Sequence, residues 1–87
     1  MKIIKKTNNL ETVFDNELVI LNMDSGKYIQ LNSSAKNIWK LLEKFKDVNK
    51  IKAELKDMFI VTDEELEHDI ENFITSAKEA ELIEVSY

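Results

Sequence analysis

Apolar positions fall in short strand-like runs up to Leu31, with alternation in residues 27–31, and recur about every 3.6 residues after it. Residues 10–14, LETVF, read as a strand. Asp15 and Asn16 then supply two turn-forming residues before the next apolar run. Residues 17–22 contain LVIL, four consecutive strand formers, which suits a central strand apolar on both faces. Met23-Asp24-Ser25-Gly26 is the expected hairpin turn, with Gly26 taking the positive φ that ends it. Lys27 to Leu31 is the return strand, which places Ile29 and Leu31 on one face and Tyr28 and Gln30 on the other.

The second period predicts three helices. Asn32 or Ser33 caps the first, whose stripe is Ala35, Ile38, Trp39, Leu42 and Phe45. Asp47 caps the second, with Val48, Ile51, Leu55, Met58 and Phe59 on one face. Thr62 followed by Glu65 has the spacing of a capping box and opens the third, striped by Leu66, Ile70, Phe73, Ile74 and Ala77. Leu82, Ile83 and Val85 form a short apolar tail, expected to be extended and docked on the core. Core packing is the expectation for Trp39, Phe45, Phe59 and Phe73.

The predicted fold is therefore α+β, in the order βββααα. A three-stranded antiparallel meander precedes a three-helix bundle that covers one face of the sheet. In such a meander strand 17–22 is central and strand 27–31 lies at an edge, with its outward N–H and C=O groups free. That edge is open to water, to a second copy of the chain, or to an added peptide strand. No repeat, linker or low-complexity stretch divides residues 1–87, which read as a single domain.

Composition narrows the functional classes. A chain of 87 residues, 44% hydrophobic and 33% charged, is globular in character, not disordered. It has no Cys, so disulfide and thiolate chemistry are excluded. No apolar run approaches the roughly 18 residues of a membrane span, and the N-terminal MKIIKKTNN lacks a signal-peptide core. A cytoplasmic protein without a membrane partner is the expectation.

Net charge is −5, and all twelve basic residues are Lys. Arg is the residue that reads guanine edges and clamps phosphate in pairs, so its absence argues against a nucleic-acid partner. Residues 36–56 hold seven Lys against three acids, while residues 62–81 hold eight acids and one Lys, Lys78. In a helix-turn-helix pair the second helix enters the groove, and here that helix is the acidic one. Its first acids, Asp63, Glu64 and Glu65, suit the positive end of the helix dipole.

No catalytic or metal-binding constellation is present in the pattern. Glu65 and His68 give one Glu-x-x-His spacing, but carboxylate-bridged metal bundles need two such motifs and further Glu residues. His68 reads as an exposed helix residue. Ser25, Ser33 and Ser34 have no neighbouring base and fit turn and cap roles.

One ordered combination is more specific. Asp24, Gly26, Tyr28, Leu31, Asn32, Ala35, Ile38 and Trp39 follow a strand as D-x-G-x-Y, x-x-L-N, a small residue and I-W. A second helix, an acidic opening to the third helix, and a closing A-x-L-I at residues 80–83 continue the pattern. The combination resembles the PqqD-like family from about Glu17 to Glu84.

This resemblance implies a RiPP recognition element, a winged-helix-like domain with no catalytic residues, cofactor or metal. Such a domain binds the leader of a ribosomally made precursor peptide and delivers it to a processing enzyme. The leader is implied to add as an antiparallel strand to the third strand, in a cleft against the third helix. Carried over, the strand residues are Lys27, Tyr28, Ile29, Gln30 and Leu31. The facing wall is Leu66, Asp69, Ile70, Phe73, Ile74 and Ala77. The implied partners are a precursor leader peptide and either a lasso-pathway leader peptidase or a radical SAM maturase. The Arg-free, Lys- and Asn-rich composition favours the lasso type. A winged-helix DNA-binding regulator is the alternative, and the chain is expected as a monomer or an edge-paired homodimer.

Overall fold

The computed structural model describes residues 1–87. The elements in order are β1 (Lys2–Lys5), β2 (Asn9–Phe14), β3 (Glu17–Asn22), β4 (Tyr28–Leu31), α1 (Ser33–Leu41), α2 (Val48–Met58), α3 (Asp63–Glu79) and β5 (Ile83–Ser86). The predicted meander is present: β2, β3 and β4 form one antiparallel sheet in that order, followed by three helices. Two strands lie outside the predicted order. β1 was not expected, and it pairs antiparallel with β5, the apolar tail, in a separate ribbon. Ile3 anchors β1 to the rest of the domain: its side chain is buried in the core and its N–H donates to Lys46 O at 2.8 Å.

Local chemistry sets the turns. Asp15 and Asn16 both adopt positive φ, the pattern of a tight two-residue hairpin between β2 and β3. Gly26 has φ +77°, as its turn position requires. Asn22, the one buried polar residue, organises the β3–β4 turn. Its Oδ1 accepts from the N–H groups of Asp24 and Ser25 at 2.9 and 3.1 Å, and its Nδ2 donates to Glu81 O at 2.7 Å. One side chain thus ties the hairpin to the turn between α3 and β5.

The three caps are Asn32, Asp47 and Thr62, whose side chains accept from the N–H groups of Ala35, Asn49 and Glu65. Leu18, Ile20 and Leu31 from the sheet meet Ile38, Trp39, Val48, Ile51, Leu55, Leu66, Ile70 and Phe73 from the helices. Trp39 is fully buried, edge-on to Phe73 with ring centroids 6.3 Å apart, and the Lys5 ammonium lies 4.2 Å from its ring centre.

Three packing expectations are corrected. β3 is not apolar-buried on both faces: Leu18, Ile20 and Asn22 are buried, whereas Glu17, Val19 and Leu21 are only half-covered, because every helix lies on one side. The first helix ends at Leu41, so Phe45 packs half-buried from the following turn rather than from the helix. Met58 and Phe59 are exposed, because α2 terminates there and the chain turns away towards α3. No helix is long and apolar enough to cross a membrane.

Candidate functional site

β4 is an edge strand, paired on one side only, with β3. Its hydrogen-bonding phase follows from the turn. Asn22 N–H bonds Lys27 O at 2.8 Å, and the register pairs Leu21 with Tyr28, Ile20 with Ile29, Val19 with Gln30 and Leu18 with Leu31. Antiparallel ladders alternate, so Lys27, Ile29 and Leu31 turn their backbone groups to β3. Tyr28 and Gln30 turn theirs outward. Four backbone groups, the N–H and C=O of these two residues, therefore line the free edge.

A groove runs beside this edge, walled by α3. Its end nearest the hairpin turn is formed by Gly26, Lys27, Tyr28 and Ile29 against Ser76, Glu79 and Ala80. Its middle is formed by Gln30 and Leu31 against Asp69, Asn72, Phe73 and Ser76. Ser76 belongs to both segments, so they are continuous. As β4 runs from Tyr28 to Leu31, the facing residues of α3 run from Glu79 back to Asp69; the two elements are antiparallel. The wall is lined by polar and small side chains over a buried apolar floor, because its stripe recurs at 69, 72, 76 and 79, one helical turn apart.

The residues singled out from the sequence divide into two sets. Lys27 to Leu31, Leu66, Asp69 and Phe73 all lie along the groove or its extension. Ile70 and Ala77 do not; both are buried in the core beneath it. Ile74 is half-buried against the core, about 160° round the helix from Asn72 and Ser76. Asn72, Ser76, Glu79 and Ala80 were not singled out. The signal for Asn72, Ser76 and Glu79 was the polar stripe flanking the apolar one, which could be read only once the rotation of α3 was known.

Charge is arranged unevenly around the groove. Lys52 and Lys56 of α2 pair with Glu67 and Asp63 of α3, on its flank facing α2. The hydrogen bond and charge of Lys56 hold the Asp63 carboxyl below its usual range. Lys27 and Glu81 pair at 3.5 Å beside the hairpin turn. Asp69, half-buried in the wall, has no ionic partner. His68 is exposed, and no three acidic or His side chains converge as a metal site would require. What the arrangement offers is a free strand edge, a floor and a charged rim, which is binding geometry.

Residues 17–83 match the family described as coenzyme PQQ synthesis protein D (PqqD). The chain belongs to the PqqD family. The matched residues take in β3, β4, all three helices and the first residue of β5, so they include both walls of the groove. Two solved structures are similar over nearly the whole length of this PqqD-family chain. One is TbiB1 in complex with the TbiA(beta) leader peptide, 26% identical, with a TM-score of 0.80 over 100% of this chain and 99% of that one. The other is a lasso peptide synthetase B1 complexed with the leader peptide, 25% identical, with a TM-score of 0.79 over 98% of this chain and 100% of that one. No protein of curated function matches the chain.

Proposed function

We propose that this protein binds the leader segment of a ribosomally made precursor peptide and delivers it to a processing enzyme. The carrying observation is the free edge of β4, with the outward groups of Tyr28 and Gln30 set over a groove walled by α3. A peptide joining that edge gains main-chain hydrogen bonds, while side-chain contacts with Phe73, Asn72 and Ser76 supply selectivity. Both structural relatives are complexes with a leader peptide, which supports the ligand class. The bound strand runs antiparallel to β4.

The proposed partner enzyme is the leader peptidase of a lasso pathway, since one relative is a lasso peptide synthetase B1. A radical SAM maturase is the other candidate. The protein itself acts as a carrier, without catalysis. Ordering a flexible leader costs free energy, so recognition needs edge pairing and anchoring together. A DNA-binding role is disfavoured by charge. The first turn of α3 carries Asp63, Glu64 and Glu65, and phosphate would repel it.

Amide hydrogen exchange tests the proposal. With the leader of a precursor encoded beside this protein's gene added, the amides of Tyr28 and Gln30 should become protected and those of β2 should not. Unchanged exchange at both residues under saturating peptide would remove strand addition. A gel shift at low salt tests the alternative, since nucleic-acid binding would be strongest there.

A further inference from the structure

At the hairpin end the groove closes on a pair of opposite charges. The Lys27 ammonium, at the start of the return strand, meets the Glu81 carboxylate at 3.5 Å across the gap between β4 and the turn after α3. Both side chains are about half exposed. Glu79 lines the same end of the groove and has no ionic partner. It is also the last residue of α3, where the helix dipole is negative and a carboxylate is unfavourably placed. Past the ion pair the surface opens into a basin of about 590 Å³, bordered by Asp24 and Ser25 on the hairpin side and by Glu81 and Glu84 on the other. No apolar side chain lines this basin, so nothing beyond Lys27 holds a peptide by burial.

Register decides which peptide residue meets this charge. Side chains alternate along the strand: Tyr28 and Gln30 stand on the outer face, and Lys27, Ile29 and Leu31 on the face towards the helices. Directly opposed residues of neighbouring strands share a face. A peptide strand on the free edge bonds Tyr28 and Gln30, and its residues opposite those two point outward with them. Its residue opposite Lys27 makes no bond to the edge, and its side chain points inward, beside the Lys27–Glu81 pair and Glu79. The added strand runs antiparallel to β4, so this residue immediately follows the one bonded to Tyr28.

We infer that this end of the groove is a charge-reading subsite, which selects Lys or Arg at the peptide position following the residue paired with Tyr28. This rests on the strand-addition reading and adds a position-specific requirement to it. A basic side chain there meets Glu79, which has no cation of its own, and leaves the Lys27–Glu81 pair intact. It also offsets the negative end of the α3 dipole. An acidic side chain finds one ammonium, already shared with Glu81, and stands against two carboxylates of its own sign. The groups are partly exposed, so the preference is modest and sensitive to salt.

A display library of random short peptides selected on the intact protein supplies the probe. Single N-methylation along a selected peptide marks the two amides bonded to Tyr28 and Gln30, and the residue after the downstream one is the tested position. Lys, Gln and Glu are placed there in turn, and affinity is read by anisotropy at low salt. The Lys peptide should bind about fivefold tighter than the Glu peptide, with Gln between them, and high salt should remove most of the difference. Glu79→Lys, a change at an exposed position, leaves two ammoniums to one carboxylate and should invert the order. The same three residues placed one position earlier, pointing outward beside Tyr28, should keep their order in this variant. That control separates the subsite from the general attraction of a chain of net charge −5 for basic peptides. Equal affinities for the three peptides, or an order that Glu79→Lys does not alter, would overturn the inference while strand addition stands. Indifference to N-methylation at every position would overturn both.

Discussion

Gln30→Pro isolates the edge chemistry from the fold. The Gln30 N–H points away from β3, so proline at this position removes no ladder bond within the sheet. Ile29 before it is already extended, as a residue preceding proline must be. What the change removes is one of the four outward backbone groups, and its ring also crowds the incoming strand. An incoming peptide loses one hydrogen bond, about 0.5–1.5 kcal/mol net, and leaves its own carbonyl unpaired, which costs about 1–3 kcal/mol where buried. A combined loss of about 1.5–4.5 kcal/mol corresponds to a rise in Kd of roughly 10- to 2,000-fold. Anisotropy with a labelled leader measures this, and a thermal melt checks the fold. Ile29→Pro is the contrasting control: it removes a ladder bond to β3 and should destabilise the protein directly, by about 1–3 kcal/mol. A folded Gln30→Pro variant with undiminished affinity would refute the assignment of β4 as the pairing edge.

Three further outcomes follow from the structure. Ser76→Trp places bulk at the junction of the two groove segments without touching the core, and should weaken leader binding by about tenfold or more, whereas His68→Ala on the same helix should leave it unchanged. Asn22→Ala frees the Asp24 and Ser25 amides and the Glu81 carbonyl, costing about 2–4 kcal/mol. Calorimetry should read that as a fall in Tm of roughly 8–30 °C. Lys56→Gln should return the Asp63 carboxyl towards its ordinary value, measured by carboxyl carbon NMR. Because the folded-state pKa of Asp63 is lowered, the pair stabilises the native state above the unfolded value of about 3.9 and is lost as pH falls through the lowered one. The effect is small because the group is fully exposed.

The short apolar runs up to Leu31 and the period of 3.6 beyond it determined the meander, the three helices and their caps, because these depend on neighbours in the chain. Gly26 acts through its own backbone conformation, and Asn32, Asp47 and Thr62 through bonds spanning two or three residues; such short-range chemistry is legible in order alone. It also placed strand 27–31 at an edge, since short connections allow only a meander. What the chain order left open was set by contacts between distant residues. The β1–β5 ribbon joins residues some eighty positions apart, and its KIIK segment carries too short a pattern to announce a strand. The buried Asn22 is polar by composition and becomes structural only because Glu81 arrives beside it. The rotation of α3 decided that Asn72 and Ser76 face the groove while Ile70 and Ala77 support it from below. The packing of α2 against the starts of α1 and α3 turned Phe59 from an expected core residue into the rim of a hollow. Periodicity states which residues share a face; only the packed helices determine where that face points.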